Sequence, residues 1–348
     1  MANRSSRDLP SPSLIPAGSR AAVTAGLAAP IVPGQASRLP RRRRFTGDVA
    51  FRIAAAAATF AALAAIGLMA YDSVITTIPV FERFGVWGFV TGLRWAPSFA
   101  IYGALPFIFG TFLTSAIALV IAVPVALGIA LLVTEFLPPR IAGPIAVSVD
   151  LLAAVPSVVW GLWGLLVLVP FLRPIEHSIA ASAGSVIPFL GPPTPGPSYF
   201  AAGVIVAFMI IPIIAAVTRE VFAATPRLQR EAVLALGGTR WDVIRQVVIP
   251  IGRSGLLAAV ILGLGRAIGE TIAVTLVIGN APRIGSSIFA PGFSLASVIA
   301  NEFNEATETL HPEALITLGV VLLVIAIVIN GAGLLIRRRF QRVVGHAG

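Results

Sequence analysis

Six stretches of this chain stay apolar for longer than a soluble helix requires, and polar or proline-rich segments divide them. They cover 53–71, 105–134, 143–170, 199–217, 254–279 and 313–336. A helix rises about 1.5 Å per residue, so roughly 20 apolar residues cross the ~30 Å hydrocarbon core of a bilayer. The pattern predicts an all-α integral membrane protein with six transmembrane helices. The first run exceeds the core of about 7–15 residues of a signal peptide and reads as an uncleaved span. Pro124 is expected to kink the second span, and Pro212 lies inside the fourth. The third carries Asp150 and an Ala-Val-Pro-Ser break at Pro156. Asp150 admits two readings, a helix N-terminal charge or a contact along a pathway or gate.

The dividing segments differ in character. Residues 1–48, rich in Ser, Pro, Gly, Ala and Arg, lack apolar periodicity and read as a disordered tail closed by Arg41–Arg44. Residues 72–100 are polar and aromatic, with Trp87 and Trp95 expected near the interface. Residues 171–199 end in a proline-rich run too irregular to cross hydrocarbon. Residues 281–312 carry Glu302, Glu305 and Glu308.

The stretch 219–253 is different again, because its polar pattern has helical punctuation. Thr225-Pro226 reads as an N-cap followed by proline at the first helical position. Leu228, Ala232, Ala235 and Leu236 form an apolar stripe, with Arg227, Arg230 and Glu231 on other faces. Gly237-Gly238 is expected to end that helix. Thr239 with Asp242 matches a capping box opening a second short helix, which Pro250 is expected to stop. From pattern alone this is either an amphipathic connector on the membrane surface or a docking loop.

The following apolar helix carries Arg266 and Glu270 near its middle, four residues apart and so on one face. Each ionised side chain at mid-bilayer costs on the order of 2.5–3.5 kcal/mol, which makes the pair a functional candidate. Ala259, Gly263 and Ala273 share that face, leaving room for a neighbouring helix or for a passing anion. Two roles stay open: a mutually neutralised pair that holds the bundle, or a guanidinium fork presented to an oxyanion and held by Glu270. Gly265–Gly269 is a GxxxG spacing and reads as close helix packing.

Composition narrows the class. With 57% hydrophobic and 11% charged residues and a mean hydropathy of +0.93, the chain belongs with membrane proteins, and its net charge of +10 is no argument for nucleic acid. All 25 basic residues are arginine, so no ordinary Walker A loop, which needs lysine, fits here. There is no cysteine for disulfides, thiol chemistry or metal binding. His177 and His311 on one side and His346 in the C-terminal tail lack metal-ligand spacing and read as solvated. Twenty arginines fall on the side of the N-tail, the turn at Arg140, the loop 219–253 and the C-tail, and four fall opposite. The positive-inside rule then puts both termini and the 219–253 loop in the cytoplasm.

Two sets of residues carry a family resemblance. Glu231-Ala232-Val233, Gly237, Val247, Ile249 and Pro250 resemble the EAA loop of ABC importer permeases. The runs GLGRAIGETIAVTLVIGN, DLLAAVPSVVWGLWGL, ANEFNEA and LHPEALITLGV resemble the PstC-type permeases of phosphate-specific ABC importers, over roughly 95–339. Thr271-Ile272-Ala273-Val274 favours PstC-type over PstA-type; the long N-terminus and Asp150, where relatives often have Glu, are departures.

The resemblance implies a type I, MetI-like permease domain over 49–348 that translocates phosphate and is not itself an enzyme. It implies a pathway role for Arg266 and Glu270, and ATPase docking through Glu231, Ala232, Leu236, Gly237 and Pro250. It also implies a PstA-type permease partner, two PstB-type ATPase subunits that bind ATP and Mg, and an external PstS-type phosphate-binding protein. No cofactor is expected in this chain, and the location implied is the bacterial cytoplasmic membrane. The rivals are a permease for sulfate, molybdate or another oxyanion, and a non-transporting scaffold or sensor.

Overall fold

The computed structural model describes residues 46–344 except 193, 195, 308 and 309, with side chains described over 49–336. The tail assigned to 1–48 lies almost wholly outside the described residues, as do Glu308 and His346. Two compact units divide at Ala65. The first contributes the opening part of helix α1 (Thr46–Thr76), and the second holds everything else.

In chain order the second unit continues with α2 (Ile78–Phe84), α3 (Val86–Thr91), α4 (Leu105–Leu131), α5 (Pro139–Ala153), α6 (Ser157–Trp163) and α7 (Val169–Ala183). Then come α8 (Tyr199–Ala223), α9 (Arg227–Ala235), α10 (Arg240–Val243), α11 (Ile249–Ile268), α12 (Ile272–Val277), α13 (Leu295–Glu302) and α14 (Leu310–Val344). Among the described residues six helical runs are long and apolar enough to cross a membrane: Val49–Phe84, Leu105–Phe136, Ser157–Ala183, Tyr199–Ala223, Arg240–Ile268 and Leu310–Ile336. Hydrocarbon offers a backbone no water partner, so helices that satisfy their own hydrogen bonds are the solution the sequence adopts.

Two of these runs differ from the expected spans. In place of a crossing over 143–170, Pro156 breaks the chain after α5, and the crossing-length run is Ser157–Ala183. The fifteen residues of α5 reach only roughly 22 Å, too short for the bilayer. The run expected at 254–279 ends at Ile268, and helix resumes at Ile272.

Three wide, π-helical turns punctuate the bundle: Leu132–Phe136, Gly164–Leu168 and Ile244–Val248. All three share one bonding pattern. The residue just before a proline (Leu137, Val169 and Ile249) donates its N–H to the carbonyl five residues back, on Leu132, Gly164 and Ile244. Where helix continues, the extra residue in the turn makes room for the Pro170 and Pro250 rings, which would otherwise meet the carbonyl four residues back; at Leu137 the chain becomes extended and Pro138 caps the next helix. Pro250 therefore does not stop the short helix; it sits in the first turn of α11, where its missing donor is harmless.

The centre of the second unit is α8, the most buried of the spans. Lipid tails are as apolar as leucine, so helices associate in membranes by close packing rather than by hydrophobic exclusion. Small residues provide it. Ala118, Ala122 and Ala126 of α4 are fully buried in the cluster built around α8. Gly263 of α11 lies against Ile214 of α8, Gly252 against Phe222, and Gly161 of α6 against Ala273 of α12.

A second cluster joins α2, α3, the turn at 95–102, α13 and the start of α14 through Phe89, Trp95, Tyr102, Phe107, Phe293 and Leu315. Within it His311 is buried, not solvated as its position suggested: Nε2 lies 3.0 Å from Glu302 Oε2, the oxygen that also accepts from Trp95 Nε1 at 2.9 Å. His177 is exposed.

One of the two tightest approaches is at Gly292, where a Cβ would fall 1.9 Å from Cζ of fully buried Tyr199. Gly292→Ala should lower stability by about 1–3 kcal/mol, the usual cost of overpacking. Gly128→Ala, at a helical site with nothing within 4 Å, should be neutral or stabilising. Thermal unfolding of the two purified variants checks this; equal midpoints would refute the packing at Gly292.

Candidate functional site

Two places on the second unit combine exposure with unusual chemistry: the helical loop before α11, and the break after it. The loop forms from local signals. Gly237 has φ +85°, a left-handed conformation that side chains with a Cβ resist. Gly237 N–H bonds to Leu234 O and Gly238 N–H to Val233 O, the paired bonds of a Schellman ending to α9. Thr239 and Asp242 form the capping box for α10, with Thr239 N–H to Asp242 Oδ2 at 2.8 Å and Asp242 N–H to Thr239 Oγ1 at 3.3 Å. The start of α9 departs from expectation. Pro226 occupies the N-cap position, no side chain caps the helix, and the buried Thr225 hydroxyl has no partner. A proline at the cap already presets the backbone, so the helix starts without a side-chain acceptor.

The apolar stripe of α9 points away from the rest of the chain. Leu228 is 77% exposed and Leu236 91%, and Glu231, Ala232, Ala235 and Gly237 are exposed beside them. Val233, on the opposite side, packs with Ala130, Phe222, Val243 and Val248. An amphipathic helix ordinarily buries its apolar face against its own protein. Here that face is left uncovered.

Ionic contacts fasten the loop to neighbouring helix ends. Arg230 Nη1 lies 3.1 Å from Glu135 Oε1, and Arg230 also donates to Phe222 O. Arg240 donates to Glu135 O at 3.4 Å. Arg219 pairs with Asp150 at 2.9 Å. Asp150 stands in the last turn of α5, which excludes the helix N-terminal reading. Glu135 carries no local signal in the sequence, because the residues it contacts lie 95 and 105 positions away along the chain.

The second place is the break between α11 and α12. Arg266 lies in the last turn of α11 and Glu270 just beyond it, so the two charges flank a helix end rather than the middle of a helix. Arg266 Nη2 and Glu270 Oε2 are 3.8 Å apart, an ion pair too long for a hydrogen bond. The Arg266 side chain is 40% exposed and that of Glu270 8%. The Glu270 carboxyl lies close to the backbone N–H groups of Ala273 and Thr271 at the start of α12.

Beside the pair is a hollow of about 470 Å³ lined by Ile213, Leu262, Gly265, Arg266, Gly269 and Glu270. The small residues divide the work differently from expectation. Ala259, Gly263 and Ala273 are buried against neighbouring elements. The GxxxG pair, Gly265 and Gly269, opens the space next to the guanidinium instead. Among the described residues Glu270 is the sole partner found for Arg266, and at 3.8 Å it leaves the donor fork open. Such a fork suits a planar or tetrahedral oxyanion. The described residues contain no group of three or more His, Cys, Asp or Glu placed to hold a metal ion.

Residues 122–342 match the family of binding-protein-dependent transport system inner membrane components. The phosphate transport system permease protein PstC of Mesorhizobium japonicum is 41% identical over 301 residues, covering 85% of this chain and 91% of that protein. PstC of Haemophilus influenzae is 43% identical over 269 residues, covering 76% and 84%. PstC 2 of Mycobacterium tuberculosis is 41% identical over 300 residues, covering 84% and 91%. A solved bacterial alginate ABC transporter, in complex with an alginate-pentasaccharide-bound periplasmic protein, superposes with a TM-score of 0.56 at 15% identity, covering 85% of this chain and 98% of that one. That likeness establishes the fold: a type I ABC importer permease.

The capping box yields a local test. Thr239→Ala should destabilise α10 by about 1 kcal/mol. Amide hydrogen exchange over residues 240–243 should speed up accordingly, while exchange in α8 stays at the wild-type rate. Unchanged exchange at 240–243 would show that the box does not hold the helix.

Proposed function

The chain belongs to the binding-protein-dependent transport system inner membrane components, and from that premise we propose that it is a PstC-type permease carrying inorganic phosphate across the bacterial cytoplasmic membrane. It is a multi-pass membrane protein and one component of an ABC transporter. The observation that carries the substrate assignment is the open guanidinium fork of Arg266 inside a membrane span, in a chain some 40% identical to phosphate permeases. An arginine within a membrane span is costly, and a purely structural contact 3.8 Å long does little to offset that.

The geometry supports the following mechanism. Phosphate meets Arg266 in the hollow and takes the donors that Glu270 leaves open. Glu270, almost fully buried beside the arginine, keeps the empty site near neutrality. Binding is weak and brief, because an ion held tightly does not leave. Direction comes from outside the chain. The uncovered face of α9, with Glu231, Ala232, Leu236 and Gly237, docks a cytoplasmic ATPase subunit, and Pro250 stands where α11 leaves that loop.

One loop serves one ATPase, so the assembly pairs this chain with a PstA-type permease, two PstB-type ATPases holding ATP and Mg, and a PstS-type protein outside. The arginine distribution puts both termini in the cytoplasm.

Labelled-phosphate uptake by the complete complex in proteoliposomes tests the pathway. Arg266→Ala should lower uptake roughly 10²-fold, the loss of a hydrogen bond to a charged group worth about 3 kcal/mol. Arg266→Lys, a point charge in place of a fork, should restore only part. Competition by sulfate and molybdate in the same vesicles reads selectivity. Uptake unaffected by Arg266→Ala would make the pair a structural tie, and uptake of sulfate in preference to phosphate would overturn the substrate.

Docking has its own test. Leu236 is 91% exposed, so Leu236→Asp leaves the packing of this chain intact. It should abolish co-purification with the ATPase subunit without lowering the amount of folded permease. Normal co-purification would refute the docking face.

A further inference from the structure

We propose that Glu135 is a positioning residue for transport, the joint through which the docking loop moves the membrane helices. The inference rests on the importer reading above and adds the place where the motion of the ATPase enters the bundle. Glu135 stands in the wide turn Leu132–Phe136 that closes α4, with its side chain only 10% exposed. Arg230 of α9 sets Nη1 3.1 Å from Oε1 and 3.3 Å from Oε2 of this carboxylate, and turns Nη2 to the carbonyl of Phe222 in the last turn of α8. Arg240, the first residue of α10, donates to the main-chain carbonyl of Glu135 at 3.4 Å. Both docking helices thus grip one residue, one through its side chain and the other through its backbone.

Burial decides which ionic tie transmits force. The other tie from this region, Arg219–Asp150, has a carboxylate 44% exposed, where water and salt screen it. The Arg230–Glu135 pair is less exposed, at 20% and 10%, and a charge-assisted contact in that setting resists displacement. Beyond the joint the path is rigid. The helix α4 packs along α8, and Ile210 and Ile214 of α8 lie against Gly263, three residues before Arg266. A push on α9 therefore reaches the charged hollow through close-packed helices rather than being absorbed in a loose loop.

The test uses the complete complex in proteoliposomes and reads phosphate transported per ATP hydrolysed, with assembly checked in the same samples. Glu135→Gln keeps the shape of the side chain and one acceptor, so it removes the charge without emptying the turn. The complex should assemble and hydrolyse ATP, while phosphate per ATP falls about ten-fold. The exchanged pair, Glu135→Arg with Arg230→Glu, should recover most of that loss. An unchanged ratio in Glu135→Gln overturns the proposal, and so does lost assembly that the exchanged pair does not restore, since Glu135 is then a prop of the fold. A wild-type complex that hydrolyses ATP without moving phosphate overturns the importer reading itself, which separates the two failures.

Discussion

A backbone in hydrocarbon has no water to replace a hydrogen bond that it gives up. Every irregularity in this bundle has to be matched within the chain, and the irregularities mark the parts that matter. Each wide turn keeps the residue before a proline bonded, by reaching five residues back instead of four. At the break after α11 the Glu270 carboxyl lies near the N–H groups of Ala273 and Thr271. The same carboxylate is thus close to both the backbone at the start of α12 and the Arg266 guanidinium, beside the hollow.

Close packing then converts these local solutions into one machine. Because small residues bring α4, α11 and α8 into contact, α8 acts as the member against which the others bear. Helix α9 hangs from the C-terminal ends of α4 and α8, and Arg266 lies in the last turn of α11. Interiors this dense shift as bodies rather than deform smoothly, so a load at one end is felt at the other.

What the sequence made legible was local. The Gly237-Gly238 ending and the Thr239–Asp242 box depend on residues within a few positions, and both are present as read. The six apolar runs were visible because each is longer than a bilayer demands. The positions of the third and fifth were not, because hydropathy is blind to where a carboxylate or a proline interrupts the backbone. Pro250 looked like a stop, since the wide turn that accommodates it has no residue signature. His311 looked solvated, since its partners Glu302, Trp95 and Tyr102 meet it only in three dimensions. Glu135 was passed over for the same reason, and the two glycine sets, one packing helices and one opening the hollow, share a composition that only geometry separates.

The looseness of the Arg266–Glu270 pair is itself informative. At hydrogen-bond distance and fully buried, such a pair would satisfy itself, and an arriving anion would have to break it at a cost of several kcal/mol. With the arginine wholly alone, the empty site would carry an uncompensated charge in the membrane. A separation of 3.8 Å, with the arginine 40% exposed and the glutamate buried, lies between these limits. The carboxylate stands close enough to oppose the arginine's charge and too far to bond with its donor fork. A pathway that must accept an ion and release it again needs that intermediate strength, and a tie that only holds helices together does not.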